Sequence, residues 1–416
     1  MKRTYFSILL TALLVAACSS NTTLGEQGGA DETPLEAMRF SAPTVGSMDT
    51  RASSTNPKAL ETGFLVSAYK NGGSQVVMDQ YEAAYSKDNW NNNSKWETVS
   101  GSSKDLYQEQ YEKYWDLSAF PYEFIAIAPA PISDKKIIDG FSVKRSSLTL
   151  KTPFLISQSA TDGTVSPQQA ETEYYLLAQT ERTYTDGTRT DTDKLTGKAI
   201  GTSSNATEKV PLPFHHLSTK VRFGIYTTEH ISANQHVAIK GVTFTVKSKD
   251  KSGIVKKIGS YSVDLTKEGV SSALDGTFSG EERETGDKTL LTFSGPTTDK
   301  YTDAYLEKHE WNSKSDVNAY YFECPDGLLQ VPQNGVQIYV SLTLETKTGE
   351  DVTYGKQEFQ ITNADGSTTS EFTWLPNRFY TYYIVVKRLL SHDISFTATV
   401  SDWENVTGEI ETNMEE

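Results

Sequence analysis

One cysteine near the start of the chain lies in a sequence that predicts covalent lipid attachment. Lys2 and Arg3 precede an apolar run from Phe6 to Ala17, which leads directly to Cys18. The run has about 12 residues, whereas a membrane-spanning helix needs about 20, so residues 1–17 predict a cleaved signal peptide. The Cys18 thiol is placed to take a diacylglycerol, and several acyl chains hold a protein stably on a membrane. The alternative is an ordinary secretory signal that contains a cysteine by chance.

The other residue types that catalyse reactions or bind metals are scattered along the chain. His215 and His216 precede a predicted strand, and their setting favours a structural role over metal binding. Asp186, Asp191 and Asp193 resemble part of a calcium loop, but its glycine and glutamate positions are missing, so we expect a solvated loop. The sequence has no Gly-x-Ser-x-Gly motif and no phosphate-binding loop. We therefore expect no enzyme activity, no cofactor and no metal site.

Composition favours a β-rich protein that does not bind nucleic acid. The 416 residues carry a formal net charge of −15, which would repel nucleic-acid phosphates. Aromatic residues make up 11% of the chain, and with the many threonines they suit half-buried strand surfaces. Cys324 is the second of two cysteines, so with Cys18 lipidated no intramolecular disulfide can form. We expect Cys324 to be a buried small hydrophobe.

Apolar and polar residues alternate with a period of two over most of the chain, which predicts half-buried strands. The first such strand places Met38, Phe40 and Ala42 on one face. Other clear candidates lie within residues 64–69, 221–226, 242–246, 261–265, 336–344, 380–386 and 394–400, and the almost unbroken apolar run over residues 122–129 predicts a strand buried on both faces. Two stretches differ: the spacing over residues 105–115 predicts a helix, and the hydrophilic residues 182–206 predict a loop or a domain junction. The predicted fold class is all-β, built of antiparallel sandwiches.

Length and local composition predict the domain organisation. Residues 18–35 are rich in Ser, Thr, Gly and Asn and predict a flexible tether. Because the chain is longer than one ordinary domain, we predict an N-terminal β-sandwich domain over residues 36–208 and a C-terminal one over residues 209–416. The C-terminal domain ends in a strand-patterned extension, for which a frayed acidic end is the alternative.

Several short motifs follow one another in a definite order. These are the lipobox Leu13-Leu-Val-Ala-Ala-Cys-Ser-Ser20, Thr50-Arg51-Ala52, Gly63-Phe-Leu-Val-Ser-Ala-Tyr69, Tyr114-Trp115, Phe124-Ile-Ala-Ile-Ala-Pro129, Pro213-Phe-His-His-Leu-Ser-Thr-Lys-Val-Arg-Phe223, Trp374-Leu-Pro-Asn-Arg-Phe-Tyr-Thr-Tyr-Tyr383 and Val400-Ser-Asp-Trp403. Their order and spacing resemble the fimbrillin-like family of type V pilus subunits over nearly the whole mature chain. Phe120-Pro121 departs from the Trp-Pro turn that the family would have there.

The resemblance implies both a fold and a function. It implies two transthyretin-like β-sandwich domains in tandem and a structural or adhesive subunit of a fimbrium, exported as a lipoprotein to the outer membrane and cell surface. A trypsin-like protease would remove the first strand, with Met38, Phe40 and Ala42. Arg51 is the expected cleavage site because it lies in a polar loop, where proteases cut. A C-terminal segment of a neighbouring subunit would then take the strand's place.

The donor segment and the partners follow from the same resemblance. The candidate donor residues are Ile394, Phe396, Val400, Val406, Ile410 and Met414. The implied partners are other pilus subunits, outer-membrane lipid bound through Cys18 in the precursor, and the maturation protease. The alternative function is a lipid-anchored surface binding protein that does not polymerise. In that case Trp90, Trp96 and Trp311, which lie in polar stretches, would stack on sugar rings.

Overall fold

The chain folds into strands joined by turns, and the part that the structure describes contains no helix. The structure, a computed structural model, describes residues 36–41, 44–45, 63–86, 95–98, 107–161, 164–165, 175–227, 237–266, 276–295, 319–323, 327–346, 348–362, 366–388 and 393–402. Within these ranges, no helical segment has the length and hydropathy to span a bilayer. The prediction of an all-β fold is confirmed.

The strands are short and numerous. The first half contains β1 (Thr44–Val45), β2 (Phe64–Lys70), β3 (Gln75–Ser86), β4 (Lys95–Thr98), β5 (Tyr122–Ala128), β6 (Ile132–Ser133), β7 (Lys136–Ile137), β8 (Leu148–Ile156), β9 (Ala160–Thr161), β10 (Thr164–Val165), β11 (Leu176–Thr185), β12 (Thr188–Asp193) and β13 (Lys198–Ser203). The second half contains β14 (Pro213–His216), β15 (Thr219–Thr227), β16 (Val237–Ser248), β17 (Ile254–Val263), β18 (Thr277–Ser279), β19 (Glu282–Glu284), β20 (Lys288–Ser294), β21 (Ala319–Glu323), β22 (Leu328–Gln330), β23 (Gln333–Thr346), β24 (Asp351–Glu358), β25 (Ile361–Thr362), β26 (Thr368–Thr369), β27 (Phe372–Trp374), β28 (Arg378–Arg388) and β29 (Asp393–Asp402).

A nine-stranded sheet is built mainly from strands of the N-terminal half. Its order is β1-β14-β11-β5-β2-β3-β4, and β12 and β13 extend from β11. The central strand β5 is buried along its whole length, because both of its faces are covered. Phe124 packs into one apolar cluster with Phe64, while Ile125 and Ile127 pack into a second cluster on the opposite face.

Two further sheets form the C-terminal half. One has the order β10-β9-β20-β16-β23-β24 with β27 on β23, and the other has the order β21-β15-β28-β29 with β22 on β15. The ring of Phe223 from β15 stacks on that of Phe244 from β16, with centroids 4.4 Å apart, so the two sheets share one apolar core. Most pairings are antiparallel, but β15 pairs with β28 in parallel.

Among the described strands, four pairings cross the predicted domain boundary between residues 208 and 209. Strand β14 pairs with β1 and with β11 in the nine-stranded sheet, β8 pairs with β17 in a separate four-stranded sheet, and β9 pairs with β20. The second apolar cluster likewise joins Ile125 to Ile258 and Tyr261. Residues 36–416 form one compact unit, and their division into residues 36–208 and 209–416 stays a prediction.

The predicted helix over residues 105–115 is wrong for the residues that the structure describes, 107–115. This stretch is extended, and Tyr114 forms a backbone bridge with Ala37. Tyr114 is exposed whereas its neighbour Trp115 is buried, as expected for a strand with alternating faces. The aromatic residues whose spacing loosely fits a helix therefore lie on different faces of an extended chain.

The loop predicted over residues 182–206 is also wrong. Strands β11, β12 and β13 form an antiparallel meander there. Asp186 and Gly187 both have positive φ and form the tight turn between β11 and β12. Asp191 is fully buried and pairs with Arg182, so it does not belong to a solvated loop. Polar residues can enter this interior because their charges compensate one another.

Candidate functional site

The first described residues of the chain, 36–41, have backbone partners on two sides. Residues 36–41, together with β1, form what we call the N-terminal segment. On one side Met38 N–H donates to the Lys113 carbonyl at 2.7 Å, and Trp115 N–H donates to the Glu36 carbonyl at 3.1 Å. Because residues 113–115 line this side, we name them the 113–115 wall. The bridge between Ala37 and Tyr114 is antiparallel.

The opposite side of the N-terminal segment pairs with Val210, the last residue of the stretch 206–210, which we name the 206–210 wall. Ser41 N–H donates to the Val210 carbonyl and Val210 N–H donates to the Arg39 carbonyl, both at 2.8 Å. The pairing is parallel and continues where β1 pairs with β14. The N-terminal segment therefore fills a groove between two walls that come from distant parts of the sequence.

Alternate side chains of the N-terminal segment point into the core. Met38 and Phe40 are buried, and the Phe40 ring lies edge-on to Phe64 at 5.7 Å and to Phe124 at 6.0 Å between centroids. Burial of each side chain stabilises the folded chain by about 1.5–3 kcal/mol. Arg39 between them is only half-buried and lies 3.5 Å from the Glu112 carboxylate. Met38 and Phe40 therefore share one buried face, and the role of Met38, Phe40 and Ala42 as a displaced first strand stays a prediction.

The remaining predicted site residues are not brought to this groove by the described part of the structure. Ala42, Cys18, Arg51, Val406, Ile410 and Met414 lie outside the described residues, as do Cys324, Trp90 and Trp311. Ile394, Phe396 and Val400 lie in β29, which pairs with β28 from Asp393 to Asp402. The Phe396 ring packs on Phe359 at 4.7 Å, whereas Val400 is 45% exposed. Trp96 lies in β4.

Sequence reasoning missed a buried ion pair beside the groove. Arg182 and Asp191 are cross-strand partners on β11 and β12, and neither side chain has any exposed surface. A signal for this pair is present in the sequence. Asp186-Gly187 is a strong hairpin signal, and folding the chain about that dipeptide places Arg182 opposite Asp191.

The two adjacent histidines have structural surroundings. His215 Nε2 lies 2.8 Å from Asp193 Oδ2, and Asn377 Oδ1 accepts a hydrogen bond from the His216 N–H. Burial, followed by the charge of Lys220, lowers the pKa of His216 well below its usual value, so its ring is neutral at pH 7. No set of three or more potential metal ligands lies together in the described part of the chain.

Comparisons with known proteins place these features in a family. The model of the fimbrillin-like family matches residues 50–403. Among solved structures, the chain is similar to a candidate cell adhesion protein from Bacteroides uniformis ATCC 8492, with 12% identity over 89% of this chain and 98% of that chain and a TM-score of 0.35. A candidate cell adhesion protein from Bacteroides ovatus ATCC 8483 gives 10% identity, 89% and 98% coverage and a TM-score of 0.38.

A third solved structure carries a different description. A fimbrial assembly protein from Parabacteroides distasonis ATCC 8503 gives 12% identity over 84% of this chain and 94% of that chain, with a TM-score of 0.32. A comparison with curated proteins finds no match. The family match spans more than half of the residues, and the chain therefore belongs to the fimbrillin-like family.

Proposed function

We propose that this chain is a structural and adhesive subunit of a cell-surface pilus, exported as a lipoprotein anchored through Cys18. The observation that carries the proposal is the N-terminal segment, whose residues 36–41 have backbone partners on two sides although they start the compact unit. Such a segment can leave its groove without unthreading any other element. The proposal includes no catalytic step and no cofactor.

Proteolysis after Arg51 would convert this segment from part of the chain into a bound peptide. Arg51 lies between the N-terminal segment and β2, so a cut there removes their covalent link. The segment would then be held by non-covalent contacts, among them its backbone hydrogen bonds, the burial of Met38 and Phe40 and the ion pair of Arg39 with Glu112. The lipid at Cys18 would leave with it, so maturation and loss of the anchor would be one event.

The emptied groove would be an acceptor for an extended segment of another subunit. Departure of the N-terminal segment leaves the Trp115 and Val210 amides without their present partners and exposes the apolar surface of Phe64 and Phe124. A strand from a second chain would pair with these amides through its main chain and would cover the apolar surface with alternate side chains. Because donor and acceptor surfaces differ, such contacts generate an open filament.

Two parts of the C-terminal region can supply the donor. Ile394-Ser-Phe-Thr-Ala398 has the same apolar spacing as Met38-Arg-Phe-Ser-Ala42. However, β29 is paired with β28 along its length and would have to leave its own sheet. We therefore propose the tail, with Val406, Ile410 and Met414, as the donor and β29 as the alternative.

Protease treatment of the purified precursor tests the proposal. Cleaved wild-type chains should form ladders that resist mild denaturant, whereas Arg51→Ala should stay monomeric. Lys58→Ala is the matched control, because it removes a rival trypsin site in the same stretch, and it should polymerise like the wild type. Failure of cleaved wild-type chains to associate contradicts the proposal. If a chain truncated after Trp403 polymerises normally, the donor is β29 and not the tail.

A further inference from the structure

Arg182 is a buried side chain that contacts both walls of the groove. Its Nε donates to Asp191 Oδ1 at 2.7 Å and its Nη2 donates to Asp191 Oδ2 at 3.1 Å. This two-point contact fixes the plane of the guanidinium group. Asp191 also lies 3.3 Å from Arg189, whose Nη1 is 2.7 Å from the Glu208 carboxylate. The ion pair is therefore itself tied to the 206–210 wall.

The guanidinium group also binds the backbone of the 206–210 wall directly. Nη1 donates to the Ala206 carbonyl at 3.3 Å and to the Glu208 carbonyl, and Nη2 donates to the Lys209 carbonyl at 3.0 Å. The next residue, Val210, is the one that exchanges hydrogen bonds with the N-terminal segment. Arg182 thus binds this wall at Lys209, the residue next to Val210.

The 113–115 wall is held by the face of the same guanidinium group. Arg182 Cζ lies 4.9 Å from the centroid of the Trp115 ring, within the range of a cation–π contact. The Trp115 backbone amide is the one that donates to Glu36 in the N-terminal segment. Across the described residues, every side-chain hydrogen bond of Arg182 goes to Asp191 or to the 206–210 wall. These contacts do not need the N-terminal segment.

We propose that Arg182 is a positioning residue that keeps the groove open after the N-terminal segment has left. This inference rests on the proposed function, because it concerns the state in which the groove awaits a donor. Walls on either side of one strand lie about 10 Å apart, twice the spacing of neighbouring strands. Once the strand is gone, their unpaired backbone groups are templates for pairing with each other. The guanidinium group prevents this closure because it remains bound to both walls.

Lysine cannot replace this arrangement even though it keeps the charge. Arginine presents five donors in a rigid planar fork, whereas lysine has three donors on a single nitrogen and no flat face. In the precursor the N-terminal segment itself bridges the walls, so Arg182→Lys should still fold. If the groove of Arg182→Lys is open only about one tenth of the time once the N-terminal segment has left, its apparent dissociation constant for a donor strand rises about tenfold.

The test measures rebinding of a fluorescent peptide with the sequence of residues 36–45 to the emptied groove. A protease site introduced at residues 50–52 allows the fragment to be cut and removed in mild denaturant. Arg182→Lys should bind the peptide about tenfold more weakly than the wild type. Arg222→Lys is the matched control. Arg222 is also buried and lies over an aromatic ring, that of Phe379 at 4.8 Å, but it belongs to β15 in a different sheet, and its substitution should leave peptide binding unchanged.

Thermal unfolding of the uncut chains separates positioning from general stability. Both lysine variants should fold, and only Arg182→Lys should lose affinity. Equal peptide affinity for Arg182→Lys and the wild type overturns the inference, and so does an equal loss in Arg222→Lys. If uncut Arg182→Lys does not fold, Asp191→Asn replaces it with the same expected weakening, and unchanged affinity overturns the inference. A wild-type groove that binds no peptide contradicts the proposed function itself.

Discussion

Replacing Phe40 by alanine should loosen the N-terminal segment without changing the mature subunit. The Phe40 ring has no exposed surface and packs edge-on against Phe64 and Phe124. Phe→Ala substitutions in protein cores cost about 3–5 kcal/mol, because the surroundings fill the cavity only in part. Since 1.4 kcal/mol corresponds to a factor of ten, the dissociation constant of the cleaved segment should rise by about two to four orders of magnitude.

The assay follows release of the segment after the chain has been cut between Phe40 and Phe64. A dye near the N-terminus reports release through fluorescence polarisation. Arg39→Ala is the matched control, because this side chain is half-buried and its ion pair with Glu112 is of the surface kind, worth about 0–1 kcal/mol. After release, the Phe40→Ala chain and the wild type are the same molecule and should bind a donor equally. Release from Phe40→Ala at the rate of Arg39→Ala would refute the reasoning.

Three further predictions concern other parts of the chain. Cys18→Ala should leave the precursor unprocessed, and mass spectrometry of the wild-type precursor should find acyl chains on Cys18. Burial lowers the pKa of Lys288 to about 8 from its ordinary 10.5, so the folded chain releases this proton first. The buried, charged amine therefore lowers the free energy of unfolding most below pH 8, and this loss shrinks as the pH rises towards 10.5. In urea titrations, the gain in unfolding free energy from Lys288→Met should therefore narrow between pH 8 and pH 10. Tyr382→Phe removes the acceptor of the buried Trp374 indole N–H, now 3.0 Å away, and should lower stability by about 1–3 kcal/mol.

The alternation of apolar residues determines much of the fold. It locates the shared face of Met38 and Phe40 and the long strands β23, β28 and β29, while an almost unbroken apolar run marks the doubly buried β5. These features are readable because the side-chain period of a strand is a local property of the sequence. The all-β class follows from the same property. The roles of Cys18, Arg51 and the tail stay predictions, because they lie outside the described residues.

Only the tertiary structure shows which segments form the groove. The local spacing predicts a helix at residues 113–115, yet these residues pair with the N-terminal segment and not with neighbours in sequence. Strand pairing of this kind depends on contacts between residues far apart in the chain, which local periodicity does not record.

The contacts of Arg182 likewise divide into one that the sequence indicates and others that only the tertiary structure shows. Its hairpin partner Asp191 is implicit in the Asp186-Gly187 turn, whereas its contacts with Ala206 and Trp115 are not. Whether a charged residue is buried depends on which distant groups compensate it. The sequence by itself therefore determined the strand faces and the class of fold, and the tertiary structure decided the two walls and the buried side chain that joins them.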